Sequence, residues 1–468
     1  MRPYMRAANV GWNGLRLEDV KEMDFSPDEY ATYALQHGDV LVGEASGSRD
    51  EVGKSAVWRG EIPGACFQNT LIRVRVNRAF ATPDFVQLRL QHDASRGALA
   101  EISKGVGIHH LGRDGLASWE IPLPPLDEQR RIVAKLDALR ARSRRAKDAL
   151  DAVPALLERL RQSILAAAFR GDLTADWRAQ NPEVEPASEL LKRIRIERRK
   201  RWEEAELAKM VAKGKPPKDD RWKTKYVEPE PVDESELPEL PEGWCWASVS
   251  ELALVESGQT PPDIESRHAQ DGTLRWFRVG DMNHPANQHL LREGGIRLSP
   301  AGAAALGLHV RPRGTIVFPK RGGAIATNKK RRLAEASAYD LNVMGLVPAE
   351  SIGEHLWLWF QSVDLAQLNT GSAVPQINHG DIAPIPVPVP SAAESQVLSP
   401  RVSASLAAIA ATETERAVSA SRLADLDSAI LAAAFRGELV AREHFSPGRS
   451  LRIDTEGATV TLQRRAVL

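Results

Sequence analysis

The apolar positions of this chain change their spacing along its length, and the changes divide it. Near the N-terminus they come as short runs. GDVLVG (Gly38–Gly43) and NTLIRVRV (Asn69–Val76) have the β-branched content of strands, and FVQLRLQH (Phe85–His92) has the pattern of an amphipathic helix. From residue 127 to 170 the spacing becomes the 4,3 rhythm of a heptad, through Ile132, Leu136, Leu139, Ser143, Ala146, Leu150, Val153, Leu157, Leu160 and Ile164. A helix of that length is a rod of roughly 60 Å, in which Pro154 predicts a kink or local break. Short runs return after residue 241, and a second long helix follows at 394–436. Its seam keeps Leu398, Val402, Ile409, Leu423, Leu426 and Ile430 but is weakened in the middle by Thr412, Arg416 and Ser419.

The second half repeats the first. LAAAFRG stands at Leu165–Gly171 and again at Leu431–Gly437, 266 residues apart. The offset holds upstream without a gap: Pro122, Pro124 and Glu128 fall on Pro388, Pro390 and Glu394, and Gly105 and Leu116 fall on Gly371 and Ile382. Register kept over such a stretch is duplication. LRWFRVGDMN (Leu274–Asn283) resembles PYMRAANVG (Pro3–Gly11), and RGTIVFPKRGGAIATNKKRRL (Arg313–Leu333) takes the place of GDVLVGEASGSRDEVGKSAVW (Gly38–Trp58). The pattern predicts a mixed α/β (α+β) chain with a pseudo-twofold internal duplication. Its expected parts are a globular unit at 1–121, a spacer helix at 122–173, a charged helix and proline-rich linker at 174–240, a second unit at 241–390, a second spacer helix at 391–439 and a tail at 440–468.

Within the linker, ELLKRIRIERRKRWEEAELAKM (Glu189–Met210) has little apolar stripe, and the proline-rich segment after it reads as extended or flexible. The role this predicts is reach, with a basic interaction site at Arg198–Arg201 as the lesser alternative. Composition narrows the class further. The 468 residues, 43% hydrophobic, suffice for two to four domains with cores of their own. Cys66 and Cys245 stand in separate halves, which disfavours a disulfide framework and a thiolate zinc site and suits a reducing cytoplasm. No apolar run approaches a membrane span, and MRPYMRAANV lacks the apolar core of a signal peptide. The 62 basic and 62 acidic residues cancel, so a polyanion must be held by local patches.

The candidate patches are loops. In the first unit a polar loop carries Gly47, Ser48, Arg49, Gly53 and Lys54, and a second glycine-bearing loop runs over Ser103–Gly115. In the second unit Lys320, Arg321, Lys329, Lys330, Arg331 and Arg332 surround Gly322 and Gly323 with no acid among them, a composition suited to phosphate oxygens and guanine edges. The first-unit counterpart carries Glu44, Asp50 and Glu51. A shared frame with different loops is what two readers of different sequences would show. The run Arg130, Arg131, Arg140, Arg142, Arg144, Arg145 and Lys147 on the first long helix reads as a solvated helix face, or as contact with a partner or the DNA backbone. LAAAFRG reads as helix-pair packing ended by a glycine C-cap, or as a docking surface for one identical partner on each half, through Leu165, Phe169, Arg170, Leu431, Phe435 and Arg436.

LPEGWCW, PLPPLDEQRRIV running into a long helix, the ILAAAFRG ends and TGSAVPQINHGDIAPIPVPVP (Thr370–Pro390) together resemble the specificity subunits of type I restriction-modification systems, from Pro3 to about Leu439. The resemblance implies two target-recognition domains, each reading one half of a split sequence in double-stranded DNA. It also implies two long antiparallel coiled-coil helices that set the unread spacer. The partners it implies are two modification (adenine methyltransferase) subunits and, in the full complex, restriction subunits. It implies no catalytic residue, no cofactor and no metal in this chain, and a cytoplasmic location. The residues agree with a non-catalytic role: the sequence has no NPPY or DPPY motif for a flipped adenine, no FxGxG loop for S-adenosylmethionine and no GxxxxGK[ST] loop for an ATPase. Asp39, Glu51 and Lys54 have the wrong spacing for a nuclease metal cluster.

The chain departs from the pattern at its start. About 36 residues separate Leu240 from Trp276 in the second unit, whereas three precede the matching Tyr4, and nothing in Val440–Leu468 resembles the missing opening. The expectation is a start upstream of Met1, or a degenerate subunit whose first domain is incomplete. The rivals are a nuclease or methyltransferase acting alone, against which the missing motifs count, and a coiled-coil scaffold binding DNA without sequence preference. The residues expected to touch bases and phosphates are Arg6, Asn9, Ser48, Arg49, Lys54, His109 and Arg113 in the first unit, and Arg278, Asn283, Lys320, Arg321, Asn328, Lys329, Ser372 and Gln376 in the second.

Overall fold

The run GDVLVG forms a strand whose Val40, Leu41 and Val42 are fully buried, because both its faces are covered. It belongs to a computed structural model that describes residues 1–46, 48, 51–105, 109–212, 214–368, 374–440, 450–456 and 459–464. The chain divides into two units, Met1–Val153 with Glu415–Leu468, and Pro154–Thr414.

In the first unit β1 (Arg2–Met5) pairs antiparallel with β2 (Lys21–Met23), and α1 (Pro27–Tyr33) starts at a Ser26 cap with proline in its first turn. Then come β3 (Val40–Gly43), β4 (Ala45–Ser46), β5 (Ser55–Val57), β6 (Cys66–Phe67) and β7 (Leu71–Arg75). β1 runs parallel to β6, and β3 lies antiparallel between β5 and β7. α2 (Pro83–Ser95), capped by Thr82, buries Phe85, Val86, Leu88 and Leu90. β8 (His109–His110), α3 (Arg113–Ala117) and β9 (Ile121–Pro122) lead into α4 (Leu126–Phe169).

The second unit uses the same connections. α5 (Ala187–Ala212) precedes β10 (Cys245–Ser248) and β11 (Ala253–Ser257). Next are β12 (Leu274–Phe277), β13 (Leu290–Leu291), β14 (Ile296–Leu298) and α6 (Pro300–Ala305), which again starts at a serine cap followed by proline. β15 (Ile316–Pro319), β16 (Arg331–Leu333), β17 (Ser337–Tyr339) and β18 (Val343–Pro348) follow. β12 is antiparallel to β14 and parallel to β17, as β1 is to β2 and β6, and β15 lies antiparallel between β16 and β18. α7 (Gly353–Phe360), α8 (His379–Ile382) and β19 (Pro386–Val389) lead into α9 (Ala392–Arg436).

Three expectations about the connecting regions are corrected. Pro154 lies at an exposed position inside a continuous helix, so the local break is not seen. α5 is not a free linker: Ala187, Leu190, Leu191 and Ile194 enter the core of the second unit, Arg195 ion-pairs with the buried Glu251, and Arg198 donates to the carbonyls of Ser250 and Ala253. The proline-rich return is pinned to it by Trp222 stacked on Trp202, with ring centroids 6.0 Å apart. The tail, finally, enters the sheet of the first unit. β20 (Ser450–Glu456) pairs antiparallel with β9, and β21 (Thr459–Arg464) pairs parallel with β7. In the second unit β10 and β11 hold the places beside β19 and β18, both antiparallel. A ladder needs only free N–H and C=O groups, so unrelated side chains can fill equivalent edges.

Each unit buries one end of each long helix. Ile132 and Leu136 of α4 share a core with Ile430, Leu431 and Ala434 of α9 in the first unit. In the second, Leu165 and Ala168 of α4 share one with Leu398 and Val402 of α9. Other seam positions differ: Ala146 and Leu160 are exposed.

Candidate nucleic-acid interface

Backbone bridges build the candidate surface in both units. The amide of Glu44 donates to the Thr70 carbonyl at 3.0 Å as the chain leaves β3. β4 then pairs with β8, with Ser46 opposite His109 and Ala45 opposite His110. On its other side His110 exchanges two backbone hydrogen bonds with Lys104, each 2.8 Å. The two glycine-bearing loops of the first unit are thereby stitched into one platform. In the second unit the amide of Ile377 donates to the Lys320 carbonyl at 2.9 Å, and the amide of Gly322 donates to the Pro375 carbonyl at 2.8 Å. Arg321 therefore lies opposite Gln376. Gly322 has φ +79°, a left-handed conformation that suits glycine at this reversal.

The expected first-unit residues divide by role. The Arg6 amide donates to Asn9 Oδ1 at 3.1 Å, and the Asn9 amide group donates to the carbonyls of Arg16 and Asp19. Asn9 is 2% exposed, so its expected base contact is corrected to a turn-holding role. The Arg6 guanidinium pairs with Asp19. Lys54 lies 2.5 Å from Glu51 and 5.9 Å from the centre of the Trp12 ring, and its ammonium holds the Glu51 carboxyl below its usual range. Ser48 is exposed, and Arg49 lies outside the described residues. His109 is half-buried on β8. Arg113, 3.4 Å from Asp114, lines a cavity of about 670 Å³ together with Lys104, His110 and Ser118.

In the second unit the turn after β12 repeats that after β1, with the Arg278 amide donating to Asp281 Oδ2 at 2.7 Å. The Arg278 guanidinium pairs with Glu265 and lies 5.2 Å from the centre of the Trp276 ring. Lys329 donates to Asn283, which brings those two together. Lys320 donates to Ser257 Oγ at 2.7 Å, and Gln376 donates to Asn378 Oδ1 at 2.6 Å. Ser372 lies outside the described residues. Asn328 adopts φ 51°, and its side-chain oxygen accepts from the Leu365 amide at 3.0 Å and from Lys330 Nζ at 2.9 Å. The side-chain oxygen of Asn328 thus holds the loop, while the residue itself is exposed.

The basic loop is half framework. Lys330 is 5% exposed and donates to the Val363 carbonyl, and burial, with Arg161 nearby, pushes its ammonium down to about 8. Arg331 donates to the carbonyls of Lys330 and Met282, and Arg332 pairs with Glu354 of α7, an acid brought in from elsewhere in the chain. Lys320, Arg321 and Lys329 remain at the surface, Arg321 the most exposed in kind. The residues missed by sequence reasoning are Glu44 and His110, whose side chains approach to 3.8 Å across β4 and β8. In the sequence Glu44 stands out only as one of three acids in its loop, and His110 only as the neighbour of His109.

Of the two readings of LAAAFRG, the geometry supports helix-end packing with a glycine stop. Leu165 is fully buried, Leu431 is 5% exposed, and Phe169 and Phe435 pack on histidines of α7 and α2. Arg170 and Arg436 are exposed but pair with Asp172 and Glu438. Gly171 and Gly437 have φ of +82° and +78°, the left-handed geometry of a helix stop. Asp39 spends both carboxylate oxygens on Arg75 at 2.8 Å. Among the described residues no group of three or more His, Cys, Asp or Glu is placed to hold a metal ion, and no helix is long and apolar enough to cross a membrane.

Residues 9–151 match the type I restriction modification DNA specificity domain. The chain is 30% identical to the type I restriction enzyme EcoKI specificity subunit of Escherichia coli K12 over 202 residues, 42% of this chain and 43% of that one. It is 25% identical to the Escherichia coli EcoDI specificity subunit over 361 residues, 74% of this chain and 68% of the relative. The first of these matches therefore spans less than half of the relative's length. A chain from a structure of type I R-M complex assembly and conformational transition shares the fold with TM-score 0.64 at 20% identity, over 93% of this chain and 92% of its own. The HsdS subunit of Thermoanaerobacter tengcongensis does so with TM-score 0.58 at 20% identity, over 93% and 90%. The chain thus carries a segment similar to the type I restriction modification DNA specificity domain, is similar over part of its length to type I restriction enzyme specificity subunits, and shares a mixed α/β fold with the HsdS subunit.

Proposed function

We propose that this chain is the non-catalytic DNA-recognition subunit of a type I restriction-modification complex and reads a two-part target in double-stranded DNA. The observation that carries the reading is the stitched loop pair, present in both units on the same strand connections but with different side chains. Glu44, His109 and His110 stand on one, and Lys320, Arg321 and Gln376 on the other. A common frame fixes the backbone, and the loop chemistry sets which base edges are accepted. The duplicated organisation makes each unit a reader of one half-site, with the long helices α4 and α9 as the spacer. Two modification subunits supply methyl transfer, and restriction subunits join the full complex. The functional setting is the cytoplasm, where cellular DNA and reduced Cys66 and Cys245 are compatible.

Adenine-methylation mapping in cells that co-express this chain with its modification subunit tests the reading. The expected result is one motif of two specified blocks separated by a fixed unread gap. Methylation without sequence preference would favour a non-specific scaffold, and a single-block motif would remove one reader.

A further inference from the structure

We infer that Glu44 and His110 form the specificity-determining pair of the first unit and select a C·G base pair, an inference that rests on the DNA-reading role proposed above. Glu44 immediately precedes β4, which pairs with β8 of His110, and Glu44 Oε2 lies 3.8 Å from His110 Nδ1. Their backbones are fixed at four points: the Glu44 amide on Thr70, its carbonyl accepting from Leu111 at 2.8 Å, and His110 bonded twice to Lys104. Their side chains nevertheless reach solvent, 27% exposed for Glu44 and 52% for His110. A fixed backbone presenting polar ends to solvent suits direct readout of base edges.

The carboxylate decides what is read. Opposite a phosphate it would be repelled, so its use on a DNA-facing platform is confined to base edges that donate. In the major groove those are cytosine N4 and adenine N6. Adenine sets its N7 acceptor beside N6, against the second carboxylate oxygen, whereas cytosine has no acceptor there. The imidazole beside Glu44 donates to the O6 or N7 of the guanine paired with that cytosine. Cytosine N4 and guanine O6 are themselves hydrogen-bonded about 3 Å apart, a separation that the Glu44–His110 spacing spans. The second unit has no carboxylate among Lys320, Arg321 and Gln376, so its platform has donors for guanine and lacks this acceptor.

The test maps the methylated motif for the wild-type complex and for complexes carrying Glu44→Ala, Glu44→Gln and His110→Ala. The wild type is expected to have an invariant C·G pair in one half. Each variant is expected to lower discrimination at that pair roughly tenfold or more, leaving the other half unchanged, which also shows the complex to be assembled. If Glu44→Ala abolishes methylation, the near-isosteric Glu44→Gln decides. A motif identical to wild type in Glu44→Gln and His110→Ala, or a first half without an invariant C·G pair, overturns the inference while leaving the reading in place. Absence of a two-part motif in the wild type overturns the reading itself.

Discussion

Phe435 stacks on the imidazole of His92, with ring centroids 5.2 Å apart and planes at 25°, and Phe169 meets His355 edge-on at 5.4 Å. Each copy of LAAAFRG thus clamps the end of a long helix to the helix that follows the central strands of its unit. Aromatic contacts of this kind add to the burial that both rings gain. Phe435→Ala and Phe169→Ala are each expected to destabilise their unit by about 2–4 kcal/mol, measured by denaturant unfolding. Wild-type stability in both variants would contradict the clamp.

Burial lowers the His355 imidazole to about 4, although its Nε2–H donates to the Pro388 carbonyl at 2.8 Å. His92 is also lowered, mainly by burial. The folded state binds these protons less readily than the unfolded chain, whose histidines titrate near 6.5. The stabilisation is therefore whole above about pH 6.5 and is lost as pH falls toward 4, about 3 kcal/mol for His355 alone. Unfolding midpoints of wild type and His355→Gln across this range check it: the wild type should fall more steeply with acid.

Glu394 is 2% exposed and accepts from Thr174 at 2.6 Å, Arg178 at 2.7 Å and Trp244 at 2.9 Å. Removing the carboxylate leaves the buried Thr174 and Trp244 and the half-buried Arg178 without their shared acceptor. Glu394→Ala is expected to cost about 3–5 kcal/mol in the second unit. Calorimetric unfolding within 1 kcal/mol of wild type would show those donors to be satisfied elsewhere.

Lys320→Ala with Arg321→Ala should weaken DNA binding by the assembled complex and reduce its salt slope by up to about 2. Lys330→Ala should instead lower stability, since its Nζ is bonded to Val363 and Asn328 inside the unit. Titrations at several salt concentrations separate the two effects; an unchanged slope in the double variant would remove both residues from the phosphate contacts.

Deleting residues 450–464 uncovers the edge of β7 along Arg73–Arg75. Amide exchange there should accelerate at positions that face β21, with the second unit unaffected. Unchanged exchange would mean that this ladder does not protect β7.

Much of the frame is legible in the sequence because it rests on apolar period. The strand runs at Gly38–Gly43 and Asn69–Val76 and the helices at 127–170 and 394–436 follow from apolar spacing alone, and they lie within two residues of the observed long-helix ends. α5 misled because four apolar residues, Ala187 to Ile194, suffice to dock a helix whose remaining length is charged. The site was harder to read. Charge identifies a basic loop but not which cations turn inward, so Lys330 and Lys329 are alike in sequence and opposite in role. Glu44 and His110 become a pair only through the ladder between β4 and β8, a long-range contact with no local signature.

The most direct test of the central claim is equilibrium binding of the assembled complex to duplexes carrying the mapped target with the first half, the second half or neither scrambled. Two independent readers predict that scrambling either half alone lowers affinity at least tenfold at fixed salt. Equal affinity for the intact target and for a duplex lacking one half would contradict the claim that both units read DNA.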